Sequence, residues 1–124
     1  MTENRTALQV ALAYHRAWTG NDLDTAMEHV ADDVACSTPA GELTGAEALR
    51  GFMGPFAGML LGARVLAAFG DEETAVVCYD TQTVPVPSAP AAECLTVRDG
   101  LIVALRIIFD RAPFDAARRS SSPS

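Results

Sequence analysis

The chain has 124 residues, 49% of them hydrophobic and 20% charged, with a net charge of −7 at pH 7. This is length for one domain with a substantial core, and the acidic balance argues against nucleic acid or anionic membrane surfaces as partners. No apolar run approaches the roughly 20 residues of a membrane helix, and Met1–Arg5 carries no apolar signal core, so a cytoplasmic location is expected.

In chain order, Ala7, Val10, Ala11, Tyr14, Ala17 and Trp18 recur at the three-and-four spacing of one helix face, which predicts a helix over 6–19. Asp22 is placed to cap a second helix over 23–30, with Leu23, Ala26, Met27 and Val30 as its stripe. A short strand over 34–38 follows, with Val34, Cys36 and Thr38 on one side, and then a turn over 39–43. Thr44 and Glu47 have capping-box spacing for a third helix reaching about Leu61. Pro55 removes a donor inside it, so a kink or break is expected near Gly54-Pro55.

Strands are expected over 63–69 and 74–84. Pro85, Pro87 and Pro90 then form a connector that cannot donate to a central ladder. Two β-rich runs, 94–97 and 101–109, flank Arg98-Asp99-Gly100, a hairpin signal because glycine takes positive φ freely. Glu93, Leu95 and Val97 share one face of the first run. The run 101–109 is apolar nearly throughout and should be covered on both faces, by helices on one and a second subunit on the other. Helices early and an antiparallel meander late give an α+β fold in a single domain over 1–115, with a disordered tail over 116–124.

No glycine-rich phosphate loop and no metal-type constellation is present, so no cofactor is implied. Cys36, Cys78 and Cys94 read as buried, reduced thiols. His15 and His29 sit among polar neighbours and read as solvated. If the strand 74–84 turns Val76, Cys78, Asp80 and Gln82 inward, Asp80 becomes a carboxylate in an apolar site, where burial raises its pKa. In the opposite register, Tyr79 and Thr81 face inward and Asp80 lies at the surface.

Tyr14 with Asp22-Leu23-Asp24, Ala31-Asp32-Asp33, the Thr44-Gly45 helix start, Val97-Arg98-Asp99-Gly100 and Arg106–Asp110 together resemble the nuclear transport factor 2-like superfamily, in its SnoaL-like and ketosteroid-isomerase-like branch. The resemblance covers about residues 5–115. It implies a cone in which a strongly curved, mostly antiparallel sheet wraps around three helices of the N-terminal half and encloses a pocket. It also implies a homodimer through the outer sheet face.

Against the ketosteroid isomerase pattern, Tyr14 falls at the oxyanion donor and Glu93 at or near the acid kept neutral by its apolar site. Thr38 stands where the base belongs, and a hydroxyl cannot serve as one near neutral pH. Against the limonene epoxide hydrolase pattern, Asp80 fits one aspartate, but Cys78 replaces the arginine and Ile107 the second aspartate. SnoaL-type cyclase chemistry needs only an acid/base carboxylate in an apolar pocket. The resemblance therefore implies Tyr14, Asp80 and Glu93 as working groups. Trp18, Cys36, Thr38, Phe52, Phe56, Cys78, Leu95, Ile107 and Phe109 become the candidate walls around a hydrophobic small molecule. Two functions fit this set: a cofactor-independent acid/base enzyme on a polyketide- or terpenoid-like carbonyl compound, or a non-catalytic binding module.

Overall fold

A computed structural model describes residues 6–121. Six strands form one mixed sheet in the order β2-β1-β6-β5-β4-β3, in which only β1 and β6 run parallel. The strands are β1 (Val30–Thr38), β2 (Gly41–Thr44), β3 (Leu60–Gly70), β4 (Thr74–Thr83), β5 (Ala89–Arg98) and β6 (Leu101–Phe109). The helices are α1 (Ala7–Thr19), α2 (Leu23–Met27), α3 (Ala46–Met59) and α4 (Ala112–Ser121). This is the α+β arrangement expected for the cone fold, with α1 and α3 packed on the concave face.

Local chemistry explains the element ends. Thr6 and Gln9 exchange capping-box hydrogen bonds at the start of α1, and the Asp22 carboxylate accepts from the Thr25 N–H to cap α2. The β5–β6 turn has Asp99 at φ 52° and Gly100 at φ 79°, with Arg98 paired to Leu101. Two successive positive φ values are what a two-residue hairpin turn of the twist-compatible kind requires.

Several expectations need correction. The second helix stops at Met27, and Val30 already pairs with Ile102, so β1 is nine residues long. The turn over 39–43 contains the short strand β2. The Thr44–Glu47 box does not form, because Gly45 takes the cap position at φ 99° and its N–H donates to the Val34 carbonyl at 2.7 Å. Helix α3 runs unbroken through Pro55. Part of the proline-rich connector joins the sheet, since β5 begins at Ala89 and Pro90 pairs with Asp80. The tail is helical through Ser121; residues 122–124 lie outside the described residues.

The strand β6 is covered on one face only. Ile102, Leu105 and Ile107 are buried, with a register shift near Val97 that brings both Ile102 and Leu105 inward, whereas Leu101, Arg106 and Ile108 are exposed. The more exposed apolar element is the edge strand β3, which presents Leu61, Val65, Leu66 and Phe69 to solvent. No described helix is long and apolar enough to cross a membrane.

Candidate active site

The concave face is laid out in rows by the strand register. Ala75, Leu95, Leu105 and Cys36 form one row, Val77, Glu93 and Ile107 the next, and Tyr79, Ala91 and Phe109 the third; Thr81 and Ala89 follow. The third row is the floor of a cavity of about 260 Å³. Ala91 is the small residue between two large rings, and its missing bulk leaves room above the sheet. Trp18, Phe52, Met53, Phe56, Ile107 and Phe114 supply most of the remaining wall.

Five of the lining rings form a continuous belt. Tyr79 meets Trp18 at 5.7 Å, Trp18 meets Phe56 at 6.1 Å, Phe56 meets Phe114 at 5.8 Å and Phe114 meets Phe109 at 5.9 Å between centroids. These are edge-to-face or tilted contacts, the arrangement that the ring quadrupoles favour. The belt joins β4, α1, α3, α4 and β6, so nearly every layer of the fold contributes to one wall.

Behind this wall lies a cluster of buried polar groups. Glu93 is fully buried one row below Ala91, and burial raises its carboxyl from the usual 4.5 to about 7. The hydroxyl of Tyr79 and the indole N–H of Trp18 pull against that shift. They lie near enough to favour the charged form, but neither carboxylate oxygen has a partner of full hydrogen-bond geometry. Tyr14 Oη, His15 Nδ1 and Trp18 Nε1 are likewise buried without a hydrogen-bond partner among the described residues. Each such group costs about 1–3 kcal/mol in a core, so their collection on one side of a cavity makes this the candidate site.

The surrounding groups carry the imprint of the carboxyl. Burial first, and then the charge of Glu93, raise the hydroxyl pKa values of Tyr14 and Tyr79 and push the Cys36 thiol up to about 11. His15, expected in solvent, is instead 4% exposed and held at about 4 by burial, with its ring 4.6 Å from Tyr79 and 5.5 Å from Trp18.

Of the sequence-derived set, Trp18, Phe52, Phe56, Ile107 and Phe109 lie on the cavity wall. Glu93 and Tyr14 lie behind it, in the buried cluster. Asp80 does not join them. Strand β4 turns Ala75, Val77, Tyr79, Thr81 and Thr83 inward, so Asp80 and Cys78 face outward, and the Asp80 carboxylate accepts from the Ser88 hydroxyl at 3.0 Å. Alternation alone fits either register of Val76–Thr83. The inward one is set by Tyr79, which packs on Trp18 and His15. Cys36 and Leu95 are core residues of the first row, away from the cavity. Thr38 bonds within its own turn, donating to the Gly41 carbonyl at 2.8 Å. Cys78 and Cys94 are half-buried free thiols, not core residues.

Tyr79 and Thr81, which the alternative register of the strand turned inward, line the cavity, together with Arg111, Phe114 and Asp115, which were not among the candidate site residues. For Phe114 the sequence signal is an aromatic shortly after the last strand, in Ala112-Pro113-Phe114. Arg111 stands at the mouth, donating to the Pro39 carbonyl at 3.3 Å.

Residues 11–105 match the family model of the SnoaL-like domain. A crystal structure of a Kribbella flavida protein is 63% identical, covering 93% of this chain and 95% of its own, with a TM-score of 0.91. An NTF2-like protein from Cytophaga hutchinsonii shares 19% identity over 93% of this chain and 99% of its own, with a TM-score of 0.75. AclR, a putative hydroxylase from Streptomyces galilaeus, shares 16% over 92% and 95%, with a TM-score of 0.73. Among curated proteins, none matches the chain significantly. The NTF2-like protein shares the cone fold, and the family match over most of the chain places it: the chain belongs to the SnoaL-like domain family.

Proposed function

We propose that this protein binds a small hydrophobic carbonyl compound in the aromatic cavity and catalyses proton transfer on it without a cofactor. The observation that carries the reading is Glu93, a fully buried carboxyl whose pKa is raised to about 7, next to a cavity wall. A group titrating near neutral pH can both take and return a proton, the condition for general acid–base catalysis.

Glu93 is not itself on the cavity wall, whereas Tyr79 belongs to the wall and interacts with the carboxyl. Tyr79 is therefore the group that meets the ligand. Its hydroxyl proton faces Glu93, so its oxygen is the group offered to the ligand. The α-carbon C–H bond breaks, its proton goes to the Tyr79 oxygen as the Tyr79 proton passes to the Glu93 carboxylate, and the ligand is left as its enolate. In the reverse direction neutral Glu93 resupplies Tyr79. Tyr14, buried and raised by the same carboxyl, supports the charge on Glu93 from the side away from the ligand. Ketosteroid isomerase and limonene epoxide hydrolase chemistry are not invoked, because Thr38 and Cys78 replace required groups and neither lines the cavity.

The second reading, a non-catalytic binding module, draws on the same separation between Glu93 and the cavity. Deuterium exchange separates the two without knowledge of the natural substrate. In D2O near pH 7, the wild-type protein should speed α-proton exchange of 2-tetralone, followed by NMR. Glu93→Gln should lose about 10²–10⁴-fold of that acceleration. Exchange no faster than in buffer, with tetralone bound, would leave the binding module.

The protein is further proposed to act in the cytoplasm as a homodimer through the outer sheet face, with nucleic acid and membranes not among its partners. Phe69 of β3 and Ile108 of β6, exposed on the outer face, support the dimer, and the net charge of −7 supports the exclusion of nucleic acid.

A further inference from the structure

The cavity wall is built from the body of the fold except on one side. Trp18, Phe52, Phe56, Tyr79 and Phe109 stand on α1, α3, β4 and β6, elements locked by the sheet and the core. The remaining side is Phe114, the third residue of α4. Its ring meets Phe56 at 5.8 Å and Phe109 at 5.9 Å, at interplanar angles of 70° and 86°. Phe114 thus bridges Phe56 on α3 and Phe109 on β6, at the opposite end of the belt from the Trp18–Tyr79 contact. It is half-buried, and Arg111 just before it is exposed at the mouth. With Phe114 in place the cavity has a volume of about 260 Å³, below the roughly 300–1,000 Å³ of sites for drug-sized ligands.

We propose that Phe114 is the specificity-determining residue of this cavity: it closes the mouth and restricts the ligand to a compact compound of one or two fused rings. The restriction on size rests on the reading of the cavity as a ligand site, but the closure does not. Phe114 acts by packing, as a wall held by its two ring partners Phe56 and Phe109. A ligand of four fused rings needs that wall removed, whereas a bicyclic one fits behind it.

Trp18 is the only tryptophan and lines the cavity, so its fluorescence reports both entry and occupancy. Two measurements on the full chain test the proposal. In the first, acrylamide quenching of Trp18 should be weak in wild type and rise severalfold in Phe114→Ala, with Phe114→Leu intermediate as the conservative variant. In the second, 2-tetralone and the four-ring ketone benzanthrone are titrated against each protein. Wild type should prefer tetralone, and Phe114→Ala should shift the ratio of the two dissociation constants toward benzanthrone by about tenfold, or roughly 1.4 kcal/mol. Unchanged quenching in folded Phe114→Ala and Phe114→Leu overturns the closure, and an unchanged ratio overturns the size restriction. If quenching rises but neither ketone binds either protein, the closure stands, and the ketone reading falls together with the size restriction.

Discussion

Tyr79 interacts with Glu93 on one side and borders the cavity on the other. Register makes this possible: Tyr79 pairs with Ala91, and Glu93 lies two residues farther along β5 on the same concave face. The carboxyl is thereby kept out of the cavity, with the Tyr79 hydroxyl and the Trp18 indole between the two. Tyr79→Phe removes the hydroxyl and keeps the ring contacts with Trp18 and His15. The expected outcome is a folded protein that still binds tetralone but has lost most of its acceleration of α-proton exchange. Tyr79→Phe exchanging at the wild-type rate would remove Tyr79 from the proton path.

The pH dependence of stability has two opposing parts. Glu93 is held at about 7 against an ordinary 4.5, so between these values the unfolded chain has lost a proton that the folded chain keeps. Its contribution is full below pH 4.5 and is lost as pH rises through 7. His15 is held at about 4 against 6.5, so its contribution is full above pH 6.5 and is lost as pH falls through 4. Between pH 4.5 and 6.5 the two slopes, each about 1.4 kcal/mol per pH unit, offset each other. Denaturant titrations should therefore show Glu93→Gln gaining stability with pH in that window, and His15→Phe losing it. Identical pH profiles for wild type and Glu93→Gln would contradict the raised carboxyl.

Asp80 supplies the control. Its carboxylate is on the outer face, accepting from the Ser88 hydroxyl in an exposed setting. Asp80→Asn should change stability by no more than about 0.5 kcal/mol, as for surface substitutions away from special features. It should also leave tetralone exchange at the wild-type rate. A large loss of exchange in this variant would reinstate the outer face as the site.

The proposed dimer has its own test. Leu66 is 52% exposed and Phe69 is 69% exposed, both on the edge strand β3. Replacing both with glutamate should convert a dimeric light-scattering mass to a monomeric one, with the fold retained. A wild-type monomer at micromolar concentration would remove the dimer, and a dimeric double variant would move the interface away from β3.

Much of the fold was legible because its signals are local. The Asp99-Gly100 turn, the apolar stripe of α1 and the Asp22 cap each act over a few residues. Glu93 was legible for the same reason, since Leu95 and Val97 fix its face by alternation. The Thr44–Glu47 cap was misread because Gly45, at φ 99°, takes the cap position itself and has no side chain to form a box. The facing of β4 was not legible, because Val76-Cys78 and Val77-Tyr79 are equally suited to a core. Contacts with Trp18 and His15, some sixty residues away in sequence, decide it. His15 was misread for the converse reason: on one turn of helix it looks polar-faced, but β4 covers it.

The ionisation of Glu93 can be followed directly, by 13C NMR of the side-chain carboxyls in protein labelled at glutamate. The expected result is one carboxyl resonance titrating near pH 7, absent from Glu93→Gln and shifted when 2-tetralone occupies the cavity. If every glutamate instead titrates in the ordinary range around 4.5 and tetralone moves none of them, Glu93 is neither poised for proton transfer nor coupled to the cavity.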